Sequence, residues 1–337
     1  MIKQLIMGIT VISILAISCD SSKKTTTEDK ATENVKAVKA PSFNADSAYT
    51  FVKKQVDFGP RVPSTRPHID AGDYLVEKLK SYNWKVTEQT FDATSFDYKP
   101  MALRNIIASY NPHIKTKRIL LAAHWDSRPF ADKDSERKDE AILGANDGAS
   151  GVGVLLEIAR LLSQSDSLAI GVDIIFFDGE DWGNDSSNQK YTPVRDGWED
   201  WWCMGSQYWS KNKHERRYSA FYGILLDMVG GKNAKFFVEG HSNDYAPSIV
   251  DKVWGQASKL GYDRYFIRKQ GGTITDDHYF VNEYAKIPMI DIIPMNPEDG
   301  SFGEFHHTHR DNMDIISKET LQAVGQTVIT VLYNEKP

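Results

Sequence analysis

Glu180 and Asp181 are adjacent carboxylates that follow the apolar run Gly171-Val172-Asp173-Ile174-Ile175-Phe176-Phe177. A short β-branched run that stops near glycine, here Gly179, reads as a buried strand of a parallel sheet. Enzymes of the α/β class bind ligands beyond the carboxyl ends of such strands. Two neighbouring carboxylates there suggest a division of labour, one holding a metal and the other moving a proton. The placement recurs along the chain. His124 and Asp126 follow the run 118–123, Asp147 precedes a helical pattern, and Asp227 ends the run 222–226. The C-terminal part adds Asp276-Asp277-His278 and His306-His307-Thr308-His309. Imidazole with carboxylate suits a borderline metal such as zinc. No HExxH helix is present, so the ligands must come from separate loops. Each residue alone has a plainer reading: Asp147 near a helix N-cap, Glu180 and Asp181 as a solvated pair, His124 as a satisfied core histidine, Asp227 beside a lysine or arginine. Their joint occurrence at strand ends favours a site.

The elements that must position these residues follow from periodicity. Helical spacing covers 47–58, stopped by Gly59-Pro60, and 68–82. Stretches 84–91 and 103–109 read as a hairpin-type pair of strands, with a turn at Asn111-Pro112. A buried strand over 118–123 leads through a polar loop to a helix that starts just after Asp147, carried by Val152, Leu155, Leu156, Ala159 and Leu162. The next strand reaches Glu180. A long loop and a short helix over 205–209 precede strands at 222–226 and 235–238, a helix over 247–260, a last core strand at 287–293 and a closing helix over 318–333. Alternating strand and helix predicts an α/β sheet with helices on both faces, mixed because of the early hairpin.

A chain of 337 residues with 41% hydrophobic content can build one large core. Its net charge of -6 argues against a nucleic-acid binder. The N-terminus reads as a targeting segment: Lys3, the apolar run 5–17 (too short for a convincing membrane span), then Ser18-Cys19. This resembles a bacterial lipoprotein signal over 1–19, with Cys19 lipidated, and an ordinary secretory signal is its competitor. A polar tether over 20–40 and a single catalytic domain over 41–337 are expected, in an exported chain of periplasmic or outer-membrane location. Membrane contact is expected only through Cys19. Cys203, among Trp201, Trp202 and Met204, reads as a small packed hydrophobe. Trp182, Trp201, Trp202 and Trp209 read either as pocket lining or as loop packing.

The phrases Phe58-Gly59-Pro60-Arg61-Val62-Pro63, Asn105-Ile106-Ile107-Ala108, His124-Trp125-Asp126-Ser127, Gly144-Ala145-Asn146-Asp147-Gly148-Ala149-Ser150-Gly151, Phe176-Phe177-Asp178-Gly179-Glu180-Asp181, Gly205-Ser206, Leu226-Asp227, Asp276-Asp277-His278 and His307-Thr308 together resemble the glutaminyl-peptide cyclotransferases. That family shares its fold with zinc aminopeptidases, and the resemblance spans about residues 58–312. It implies an α/β/α sandwich around a six-stranded sheet, holding one catalytic zinc. By position it implies Asp147, Asp181 and His307 as zinc ligands, Asp181 standing where many cyclases have glutamate. Glu180 would be the proton shuttle, and Asp276 and Asp227 a hydrogen-bonded acidic pair beside the site. His306 stands where the family often has tryptophan, and Asp291 where animal members tend to have histidine. Peptides or proteins with an N-terminal glutamine are the implied partners, with the chain acting as a monomer. An exported zinc aminopeptidase of the same fold is the alternative, requiring two metals and an activated water. An exported binding lipoprotein with a degenerate enzyme fold is a third reading, which the retained Glu180 and ligand set oppose.

Overall fold

Ile119 to Ala123 contains no polar residue, as a strand covered on both faces requires. The computed structural model describes residues 39–164, 168–184 and 192–337 and puts this run inside a six-stranded sheet. The signal segment, Cys19 and the tether up to residue 38 lie outside the described residues. Two helices lead in: α1 (Ala45–Val56) and α2 (Arg66–Ser81), whose caps Asn44 and Thr65 accept N–H groups of Ser47 and His68. The chain continues through β1 (Lys85–Thr94), β2 (Pro100–Tyr110), β3 (Arg118–His124), α3 (Ala149–Ser163), β4 (Gly171–Phe177) and α4 (Met204–Lys211). Then come β5 (Tyr222–Leu226), β6 (Phe236–Val238), α5 (Gly240–Tyr245), α6 (Pro247–Lys259), β7 (Phe266–Gln270), α7 (Asp277–Phe280), β8 (Met289–Ile292) and α8 (Lys318–Tyr333).

The sheet order is β1-β2-β4-β3-β5-β8. β1–β2 and β2–β4 are antiparallel, while β4–β3, β3–β5 and β5–β8 are parallel, so the sheet is mixed. Side chains of β3 alternate between two cores. Ile119, Leu121 and Ala123 join one with Val52 of α1, Leu155 of α3 and Val328 of α8; Leu120 and Ala122 join the other with Trp209 of α4 and Val281. That alternation is the α/β/α sandwich seen from inside one strand. Asp173 is the one charge buried within β4, and it is fully partnered: Arg118 approaches both oxygens at 2.6 Å, and Ser109 and Tyr218 donate to them.

The structure departs from the sequence expectation in three places. β4 ends at Phe177 rather than Glu180. Asp178 turns the chain, accepting the Arg104 N–H at 2.6 Å and meeting His68 Nε2 at 2.9 Å, and Gly179 follows at φ +67°, a region glycine enters without a side-chain clash. β6 pairs in parallel with β7 in a separate two-stranded sheet. Helices α5 and α7 also stand where only loop was expected; Glu239 caps α5 and Asp276 caps α7.

Candidate active site

The ends of β3, β4 and β5 open on the same side, and the loops beyond them are locked to one another. Trp125 N–H pairs with Phe177 O at 3.0 Å, extending the β3–β4 ladder. Next, the Asp126 carboxylate accepts the N–H groups of Glu180 and Asp181, each at 3.1 Å. Arg61 is fully buried and donates to the carbonyls of Trp125, Leu143 and Gly144 at 2.9, 2.7 and 2.8 Å. It therefore ties the β3 end to the loop that carries Asp147. Burial lowers its pKa to about 10, against the pull of Asp311, Asp126, Asp147 and Asp181.

Asp147 does not cap α3. The cap is Gly148, without a side-chain bond. The Asp311 carboxylate instead accepts the N–H groups of Asn146 and Asp147 at 2.7 and 3.1 Å, which leaves the Asp147 side chain free to face the site. Its Oδ1 lies 3.0 Å from His124 Nε2, and its Oδ2 lies 3.9 Å from His307 Nε2. Asp181 Oδ1 is 3.4 Å from the same His307 nitrogen. Asp147, Glu180, Asp227, Asp276 and His307 line one pocket of about 390 Å³, and Asp181 is buried beside it. The residues read from the sequence are thus brought together.

His124 is more than a core histidine. Its Nε2 stands between Asp147 Oδ1 and Asp227 Oδ1, at 3.0 and 3.2 Å, and Nδ1 faces Asp126 at 3.5 Å. Burial opposes a charge on this ring, but hydrogen bonds to Asp126, Asp147 and Asp227 outweigh it and raise its pKa well above the ordinary value. Asp227 accordingly has a histidine partner, not a lysine or arginine. Asp276 lies close to Asp291 and acts on Asp227 through its charge. Burial, opposed by the His124 hydrogen bond and reinforced by Asp147 and Asp276, pushes Asp227 up to about 7. Glu180 is raised well above its usual range by burial, pulled back by His124 and pushed further by Asp276, Asp181 and Asp277. A carboxyl so placed holds a proton more readily than a free one, as a group that must both accept and return a proton requires.

Neither carboxylate oxygen of Asp181 has a hydrogen-bond partner among the described residues. Its Oδ1 has only long charge contacts, Arg128 Nη1 at 3.5 Å and His307 Nε2 at 3.4 Å, and a buried carboxylate so loosely matched favours a further cation. Asp147, Asp181 and His307 offer oxygen, oxygen and nitrogen around that place, a donor set suited to a borderline divalent cation. Two clusters of potential ligand atoms share Asp147: one with His306 and His307, the other with His124 and Asp227.

Several contributors escaped the sequence reading. Arg128 donates to Asp181 O at 3.0 Å and to both oxygens of Asp132. Asp132 in turn lies 3.4 Å from His307 Nδ1. Trp202 stacks on His307 with centroids 5.7 Å apart, and the Arg128 guanidinium covers the same indole at 4.6 Å. Trp202 is therefore the pocket tryptophan, while Trp182, Trp201 and Trp209 pack in the cores. Cys203 is buried as expected, yet its thiol sits 3.3 Å from Glu180 Oε1 and its N–H donates to Glu180 O at 3.0 Å. Burial and the surrounding carboxylates raise that thiol well above its ordinary pKa, so it stays a donor. The clue was its spacing, one residue before the helix of Met204-Gly205-Ser206.

Known proteins share this fold. The model of Peptidase family M28 matches residues 105–332. A glutaminyl cyclase from Bacteroides thetaiotaomicron, solved with N-acetylhistamine bound, is 54% identical; the match covers 88% of this chain and 100% of that one, with a TM-score of 0.83. A leucine aminopeptidase precursor from the same organism is 53% identical over 89% of this chain and 100% of that one, again at 0.83. The glutaminyl-peptide cyclotransferase of Drosophila melanogaster is 23% identical over 77% of this chain and 73% of its own length.

Proposed function

The chain belongs to peptidase family M28, and within that family we propose that it is a zinc-dependent glutaminyl-peptide cyclotransferase. It converts the N-terminal glutamine of peptides and proteins to pyroglutamate with release of ammonia. Full-length similarity to glutaminyl cyclases supports the reading. The observation that carries it is His124, whose Nε2 bridges Asp147 and Asp227. With its Nε2 shared between those two carboxylates, His124 is already engaged, which leaves one metal position, at Asp147, Asp181 and His307.

Asp147, Asp181 and His307 would hold the zinc, which when bound would supply a Lewis acid for the glutamine side-chain carbonyl. Glu180 takes a proton from the α-amine as its nitrogen bonds the side-chain amide carbon. It returns that proton to the amide nitrogen, and the carbon–nitrogen bond breaks to release ammonia. Asp276, backed by Asp291, faces the leaving nitrogen; Asp227 holds His124 in place. The pocket folds the glutamine into an attack-ready shape, which converts the ring closure into a pre-oriented intramolecular step.

A zinc aminopeptidase is the second reading, favoured by the second ligand cluster of His124, Asp147 and Asp227 and by the peptidase likeness. Purified protein incubated with Gln-Ala and Ala-Ala separates the two. The cyclase reading expects loss of ammonia from Gln-Ala without cleavage, and about one zinc per chain. Free amino acids without cyclised product, and about two zincs per chain, would establish the peptidase.

Export as a Cys19-lipidated protein completes the proposal, resting on Lys3, the apolar run 5–17 and Ser18-Cys19. Cys19→Ala is expected to move the protein from the membrane to the soluble fraction; an unchanged distribution removes the lipid anchor.

A further inference from the structure

His306 and His307 are consecutive, with ring centroids 3.6 Å apart. Both direct Nε2 towards Asp147 Oδ2, at 4.0 and 3.9 Å. The distance to Asp147 alone therefore does not decide which imidazole meets the metal. Their Nδ1 partners do. His306 Nδ1 lies 2.7 Å from Lys133 Nζ. An ammonium only donates, so this nitrogen presents its lone pair and the neutral ring carries its proton on Nε2. A nitrogen bearing that proton is no ligand. His307 Nδ1 instead faces the Asp132 carboxylate at 3.4 Å, which only accepts. An acceptor on that side favours the proton on Nδ1 and turns the Nε2 lone pair towards Asp147 and Asp181, where a cation would sit.

The two partners are themselves consecutive, so one loop imposes opposite tautomers on neighbouring rings. That loop is tied down. Lys133 N–H donates to His307 O at 3.2 Å, Asp134 accepts the His309 N–H at 2.9 Å, and Arg128 grips Asp132 at 3.0 and 2.7 Å.

We infer that Lys133 is a positioning residue that fixes His306 in the Nε2–H form and so keeps it out of the metal's coordination sphere. The histidine pair then supplies one nitrogen donor, and a coordination position stays open for substrate. The inference rests on the metal reading of the site proposed above.

The test is made on the full enzyme loaded with cobalt(II), comparing the parent with Lys133→Met, which removes the donor, and Lys133→Arg, which keeps one. Lys133→Met is expected to shift the visible cobalt spectrum towards greater nitrogen coordination. It should also slow metal removal by a chelator about tenfold and lower kcat more than it alters KM. Lys133→Arg should match the parent. Adding His306→Ala to Lys133→Met should restore the parental spectrum. Cobalt uptake with an unchanged Lys133→Met spectrum and chelator rate overturns the inference alone, as does a spectral change that survives His306→Ala. Failure of every variant and of the parent to bind cobalt overturns the metal reading and this inference with it.

Discussion

Glutamine at position 180 is expected to leave about one zinc per chain bound and to cut turnover of Gln-Ala by about 100- to 10,000-fold, the usual worth of a positioned proton carrier. The substitution keeps the shape of the side chain and an oxygen for the Cys203 thiol, which lies 3.3 Å from Glu180 Oε1. It removes only the capacity to bind and return a proton. Loss of that capacity should fall on kcat, because the interaction is made as the amine nitrogen and the leaving nitrogen exchange their protons. Single-turnover ammonia release with metal analysis on the same sample separates the two effects. Turnover within about tenfold of the parent would take the proton transfer away from Glu180. A simultaneous loss of zinc would show instead that Glu180 supports the metal.

The carboxylates at the strand ends were legible because the strands were. Ile119 to Ala123 and Ile174 to Phe177 are buried on both faces, and a doubly covered strand leaves an unbroken apolar signature whose end can be read. β7 has no such signature. Past Phe266 its residues Ile267, Arg268, Lys269 and Gln270 are partly or fully exposed, and nothing in their composition announces a strand. The supporting residues failed to show for a different reason. Lys133 and Asp132 lie in a charged loop that looks solvated, and their roles exist only through contacts with His306 and His307, far along the chain. Asp311 likewise has meaning only where it accepts the N–H groups of Asn146 and Asp147. Cys203 was read correctly as buried, but burial did not reveal the carboxylate its thiol meets.

The long-range contacts answer a problem created by the site itself. Glu180, Asp277 and Asp291 all have pKa values pushed well above the usual carboxylate range, with burial as the leading cause and neighbouring acids adding to it. Such groups hold a proton more readily than a free carboxyl does. Asp147 is the contrast. Burial opposes its charge, but the His124 hydrogen bond, followed by the pull of His306 and His307, lowers its pKa. Within one pocket the environment thus separates an acid suited to holding a cation from acids suited to moving protons.

Asp181 stands between these classes, and Asp181→Asn is expected to have opposite effects on metal binding and on the fold. Burial and the charge of Asp147 raise its pKa, with His307 and Arg128 opposing them. A carboxyl whose folded pKa lies above its unfolded value weakens the native state increasingly as the pH rises past the unfolded value, fully so above the folded one, and that penalty is relieved as the pH falls. Neither oxygen has a hydrogen-bond partner among the described residues to offset it. Asparagine removes the charge at nearly constant volume. The metal-free variant should therefore be more stable than the metal-free parent at neutral pH, by about 1–2 kcal/mol, with the gap closing in acid. Zinc reverses the order. The parent gains stability in proportion to how far free zinc exceeds its dissociation constant, whereas the variant, with one anionic oxygen donor removed, binds about 100-fold or more weakly and gains correspondingly less. Thermal melts with and without zinc, run at neutral and acid pH, measure both halves. A metal-free variant that melts below the metal-free parent would show that Asp181 stabilises the fold in its own right, and zinc binding of parental strength would remove it from the ligand set. The crossing of the two curves identifies a residue whose charge, only partly balanced by Arg128 and His307 at 3.5 and 3.4 Å, weakens the empty fold and is compensated further by the cation.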